Sequence, residues 1–189
     1  MFDTLLVNLF GGPGTRKSTV AAGLFCLLKM HDVESELVIE YAKDLVWEGR
    51  YATLKNQQYI FGKQYNRVYR IIGKVEVLIT DSPLMLSTVY GTEHTGPNFI
   101  KNVVDVTNTF NNNINILLSR PKEYNDIGRY QNRQEAEIID QKIKQSLSLH
   151  KIEWVEIEND YNTINNVTSI IMEKLNRAVK FHISNNKAV

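Results

Sequence analysis

Three things are scarce in this chain of 189 residues, and each scarcity excludes something. Cysteine occurs once, at Cys26. A lone thiol excludes an internal disulfide and fits a reducing compartment. Its neighbours Leu24, Phe25, Leu27 and Leu28 make it read as a small buried hydrophobe rather than a reactive group. Net charge is scarce too, with 22 Lys and Arg against 21 Asp and Glu. No block of like charge forms a nucleic-acid tail, although a local basic groove is compatible with this balance. Long apolar runs are missing. None approaches the roughly 18–20 residues that span a bilayer. The opening MFDTLLVNLFGG is too short for a signal sequence and carries Asp3 too early. The expectation is a cytoplasmic protein with no membrane partner, no internal repeat and no low-complexity segment.

What is present is 43% hydrophobic, enough for one packed domain over residues 1–189 and short for two. Five apolar runs read as strands: 4–9, 35–40, 75–80, 114–119 and 153–158. The first, third and fourth are apolar at nearly every position, as in a parallel sheet covered on both faces. Helical spacing appears between them. Val20, Leu24, Leu27 and Leu28 mark one helix. Ile60, Tyr65, Val68 and Ile72 mark another, with Tyr59, Lys63, Asn66 and Arg70 on its polar side. Ser82 and Pro83 read as an N-cap and first helical residue. Asn132 with Glu135 resembles a capping box, and Asn162 or Thr163 caps the last helix. Alternating strands and helices define a three-layer, doubly wound α/β domain. Right-handed crossovers put every strand's C-terminal end on one edge, where ligands bind.

The first strand runs into FGGPGTRKST, residues 10–19. It nearly spells the phosphate loop G-x-x-x-x-G-K-[ST], with Arg16 in place of the second glycine. Gly11, Gly12, Pro13 and Gly14 let the backbone turn its N–H groups inward around a phosphate, followed by Thr15 and Arg16. Lys17 can reach the β- and γ-phosphates, Ser18 can ligate Mg²⁺, and the helix carrying Ser18 and Thr19 adds its dipole. The plainer reading is a glycine turn capped by Ser18 or Thr19, which leaves Lys17 unexplained.

Each later strand end offers a matching group. After the second, Glu40 can orient an acceptor hydroxyl or take its proton, or simply favour a helix start. Tyr41, Trp47 and Tyr51 are stacking or core residues; Lys43 and Arg50 meet an anionic acceptor or solvent. After the third strand, Asp81 fits the carboxylate that holds Mg²⁺ directly or through water. After the fourth come Arg120, Lys122, Arg129 and Arg133, a lid at about 120–134 whose guanidinium groups, Arg129 first, would clamp a transferring phosphoryl group. After the fifth, Asn159 and Asp160 neighbour an expected base. Gln57, Gln58, Tyr59 and Gln64 can read a base or form a solvated helix face, and His94 reads as loop.

These pieces in this order resemble P-loop kinases of the nucleoside-monophosphate-kinase type. More closely they resemble an AAA/nucleotide-kinase-like branch found in bacteriophages, similar to the ribosylnicotinamide kinase domain of the NAD-regulator protein. The resemblance covers roughly residues 4–175 and rests on NLFGGPGTRKSTVAAGLF, EYAKDLVWEGR, ITDSPL and RPKEYNDIGRYQ. It implies a five-stranded sheet in the order 2-3-1-4-5, ATP with Mg²⁺, and γ-phosphate transfer to a nucleotide, nucleoside or related ribose acceptor. Lys17 would contact the phosphates and Ser18 the metal. Asp81 would be the second metal-side or base carboxylate, Glu40 would face the acceptor, and Arg129 with Arg133 would form the lid. Two alternatives stand beside it: a DNA kinase acting on 5-hydroxymethylated pyrimidines in phage DNA, and a nucleotide-binding protein whose catalysis is weakened by Arg16. That residue can turn outward, lie across the phosphates as an extra cation, or block the nest.

Overall fold

The computed structural model describes residues 1–91, 95–96, 98–121 and 133–177. A five-stranded, all-parallel sheet forms its centre: β1 (Leu5–Phe10), β2 (Ser35–Val38), β3 (Val77–Thr80), β4 (Asn113–Leu118) and β5 (Val155–Ile157). Their spatial order is β2-β3-β1-β4-β5, as the resemblance implies. The central β1 pairs Val7 with Ile79 on one side and with Ile114 on the other.

Both faces of β1 are covered, so its side chains split between two cores. Leu5, Val7 and Leu9 face α1 (Lys17–Met30) and α8 (Thr163–Lys174), through Val20, Leu24, Leu28, Val167 and Ile171. Phe10 points to the opposite face and packs with Val103 of α6 (Phe99–Thr107) and Ile143 of α7 (Arg133–Leu149). A polar seam crosses the middle, where buried Asn8 donates to the Asn115 amide oxygen at 2.9 Å. This satisfies a group that would otherwise be costly inside a sheet.

Three expectations need correction. Cys26 is exposed, not buried. The buried stripe of α1 is Val20, Ala21, Leu24 and Leu28, and Cys26 falls on the opposite side. The single helix expected after β2 is three: α2 (Tyr41–Trp47), α3 (Tyr51–Leu54) and α4 (Gln57–Tyr69). Gly49, at φ 67°, ends the first of them. No regular α-helix begins at Pro83. Pro83 is itself the cap, with extended ψ of 142°, and a 3₁₀ turn, Leu84–Leu86, precedes the short α5 (Ser87–Tyr90). Residues 122–132, which carry Lys122, Arg129 and Asn132, lie outside the described residues, as does His94. Among the described residues no helix is long and apolar enough to cross a membrane.

Candidate functional site

The loop between β1 and α1 turns on Gly11 and Gly14, at φ 144° and 86°. A Cβ on Gly11 would collide with the Thr15 hydroxyl and sit 3.2 Å from the Leu118 carbonyl. Four loop carbonyls accept side-chain hydrogen bonds. Lys17 Nζ donates to the carbonyls of Gly11 (2.7 Å) and Gly12 (3.0 Å). Arg120 Nη1 donates to the Pro13 carbonyl at 2.7 Å, and Asn159 Nδ2 to the Thr15 carbonyl at 2.6 Å. The amides behave oppositely. Among the described residues the N–H groups of Gly14, Arg16, Lys17, Ser18 and Thr19 have no acceptor. Consecutive unbonded amides at a helix start make an anion nest.

Arg16 occupies this turn at φ 56°, ψ 23°, the left-handed conformation that the usual glycine adopts freely. Its side chain is exposed, and its carbonyl accepts from Val20 N–H at 2.9 Å to open α1.

Two carboxylates face the loop from neighbouring strand ends. Asp81 follows β3 and is only 6% exposed. Among the described residues its Oδ1 has no hydrogen-bond partner, while the Glu40 backbone bonds to this carboxylate. Burial raises the Asp81 pKa above the usual carboxylate value, and the Lys17 ammonium partly offsets this. Glu40, the residue before α2, is likewise raised by burial and partly restored by Lys17. Burial lowers the Lys17 pKa, and Glu40, Asp81 and Asp140 pull it back up. The four groups therefore share one poorly hydrated cleft. Tyr90 borders it: burial raises its phenol, and the charges of Glu40 and Asp140 add to the rise.

The donors suit Mg²⁺ in part. Ser18 offers an exposed hydroxyl and Asp81 an unengaged buried oxygen. No group of three His, Cys, Asp or Glu gathers among the described residues, so the remaining ligands would be phosphate oxygens and water.

The other expected residues divide. Arg120 and Arg133 line one cavity of about 370 Å³ beside the C-terminal end of β4. Arg133 is exposed and pairs with Glu137 at 2.9 Å. Asn159 is buried and supports the loop, while Asp160 takes part in the cap of α8, its N–H bonding to the Thr163 hydroxyl at 2.8 Å. Gln64 is also structural. It accepts from Tyr41 N–H at 3.0 Å and is buried between the ends of β2 and β3. Asp140 escaped the sequence reading. Its Oδ1 accepts from Gly12 N–H at 2.7 Å, and its Oδ2 pairs with Arg120. The signal was there: the buried stripe of α7 runs Ala136, Ile143, Leu147, with Asp140 at the position between.

Comparisons with known proteins agree with this architecture. A family described as "AAA domain" matches residues 6–163, and the chain belongs to it. The fold is that of P-loop NTPases. A crystal structure of NadR protein in complex with NR superposes with a TM-score of 0.70 at 12% identity, over 95% of this chain and 54% of that one. A second, of NadR protein in complex with NAD and AMP-PNP, gives 0.69 at 10% identity, over 94% and 51%. The chain thus spans about half the length of these NadR chains. Among curated protein sequences none matches.

Proposed function

We propose that this protein is an ATP-dependent phosphotransferase that moves the γ-phosphate to a nucleoside- or nucleotide-like acceptor. The observation that carries this reading is the loop with four carbonyls engaged by side chains and five amides unbonded. The kinase-like fold neighbours and their bound nucleotides support it. Gly11 to Thr19 would wrap the phosphates, with Lys17 leaving its carbonyl partners to balance their charge. Ser18 and Asp81 would hold Mg²⁺, which when bound neutralises charge on the β- and γ-phosphates. Glu40 would take the proton of the acceptor hydroxyl as its oxygen bonds to the γ-phosphorus and the bond to the bridging oxygen breaks, releasing ADP. A raised pKa suits Glu40 to that task, because a stronger base accepts the proton more readily. Arg129 and Arg133 would complete the site from the lid segment.

A second acceptor, a DNA strand bearing a hydroxymethylated pyrimidine, is favoured by one observation. Residues 41–70 hold six Lys and Arg against two Asp and Glu, in a chain of net +1. This arm begins beside Glu40 and exposes Trp47 and Tyr51, 74% and 52% accessible. Basic side chains with exposed aromatics suit single strands. The five unbonded amides argue against a blocked, non-catalytic site.

The test is transfer of labelled γ-phosphate from ATP with Mg²⁺ to a panel of nucleosides, mononucleotides and hydroxymethyluracil DNA. Lys17→Ala is expected to lower the rate by at least about 10²-fold, the scale of removing one charge-stabilising group. A normal rate in that variant would sink the phosphate-loop reading.

A further inference from the structure

Arg120 was expected to act on the transferring phosphoryl group, but its guanidinium is committed elsewhere. Nε and Nη2 approach Asp140 Oδ2 at 2.8 and 2.7 Å, and Nη1 donates to the Pro13 carbonyl at 2.7 Å. The other Asp140 oxygen accepts from Gly12 N–H. Two successive residues of the loop are thus gripped by one ion pair, which is shielded from water: the side chains are 10% and 21% exposed. A charge-assisted hydrogen bond shielded from water in this way holds its partners firmly.

Gly12 shows how tight the fit is. Its φ is not positive, so backbone freedom does not explain a glycine there. A Cβ would stand 2.6 Å from Asp140 Oδ1, 2.9 Å from the Ala136 carbonyl and 3.1 Å from Arg120 Nη2. The loop therefore rests directly on α7, and only glycine permits the approach.

We propose that Arg120 and Asp140 are positioning residues for the nucleotide. They act through the backbone of Gly12 and Pro13, and the pair is needed as a unit. The proposal rests on the phosphotransferase reading above. Two physical effects combine. Pulling the Pro13 carbonyl toward Arg120 keeps a partial negative charge away from the phosphates and helps aim the next amides inward. Pairing Asp140 with a cation also cancels a carboxylate whose field reaches Lys17. Without Arg120, that carboxylate would repel the incoming phosphates.

The experiment measures AMP-PNP affinity by calorimetry, steady-state kinetics and thermal melting on the full chain. It compares wild type, Arg120→Ala, Asp140→Ala, the double variant, and the milder Arg120→Lys and Asp140→Asn. Each alanine variant is expected to weaken AMP-PNP binding and raise the KM for ATP about tenfold, as loss of a charged hydrogen bond does. kcat at saturating ATP and the acceptor KM are expected to change less than about threefold, because uniform binding is lost and not a transition-state contact. The double variant should be no worse than the poorer single one, since both break one unit. Asp140→Asn, which keeps an oxygen for Gly12 N–H, should fall between wild type and Asp140→Ala. Losses that multiply in the double variant, or a kcat collapse confined to Arg120 variants, would return Arg120 to the phosphates and overturn the proposal. Variants that melt earlier but bind AMP-PNP like wild type overturn it as well, by making the pair purely structural. A wild-type protein that binds no AMP-PNP removes the phosphotransferase reading and the proposal together, and shows this before any variant is made.

Discussion

Arg16 carries a backbone conformation that costs a non-glycine residue about 1 kcal/mol. Its side chain is exposed, so no packing clash adds to that cost. Arg16→Gly relieves that strain but gives the unfolded chain more freedom, so unfolding in urea should shift by less than about 1 kcal/mol. Arg16→Val, β-branched at positive φ, should lose about 1–2 kcal/mol. Neither should change affinity for AMP-PNP by more than about threefold, well under 1.4 kcal/mol. A tenfold gain in the glycine variant would show that the arginine interferes with the nest. The sequence announced this loop well, because glycine, lysine and serine at fixed spacing have few other uses. Asp140 was harder to read: it lies 128 positions from Gly12, and its one signal is its place on the buried stripe of α7. Cys26 misled because its neighbours are apolar in sequence, whereas burial on a helix follows every third or fourth residue.

At the level of strands and helices, β1 and β3 deliver Lys17 and Asp81 to one edge, and β2 delivers Glu40. That much was legible, since apolar runs of about six residues set between longer segments of helical spacing fit doubly covered strands. The subdivision after β2 was not, because α2 and α3 are too short to show a period. The strand-end carboxylates set a pH dependence. Burial raises the folded pKa of Asp81, so as pH climbs past the ordinary carboxylate value the unfolded chain ionises first. Folding then loses stability up to the raised value, and the penalty persists above it. Asp81→Asn should therefore raise the melting temperature at pH 7, with the gain vanishing in acid where both forms are neutral. The same change should cut kcat/KM by about 10²–10³-fold. With Glu40 as base and Asp81 as metal ligand, as proposed, both must be ionised, so the acid limb of kcat/KM should lie above the usual carboxylate range. A wild-type acid limb at the ordinary position, or an Asn variant that melts earlier at pH 7, would contradict this account.

Across the whole molecule, charge is balanced in total but not in place. The stretch 41–70, which begins directly after Glu40, concentrates positive charge. If a DNA strand is the acceptor, raising salt from about 50 to 200 mM should weaken its KM tenfold or more through counterion release. A nucleoside acceptor should respond less than about threefold over the same range. Equal responses would remove the strand reading. The loop between β1 and α1 has one further consequence. Carbonyl ties to Arg120 and Asn159 hold it when the chain folds, before any ligand arrives. Each residue left floppy would have added about 1–2 kcal/mol of ordering entropy to the binding event. A nucleotide bound there would find only the Lys17 ties left to exchange, and its capture would be governed by diffusion and orientation rather than by a slow folding of the loop.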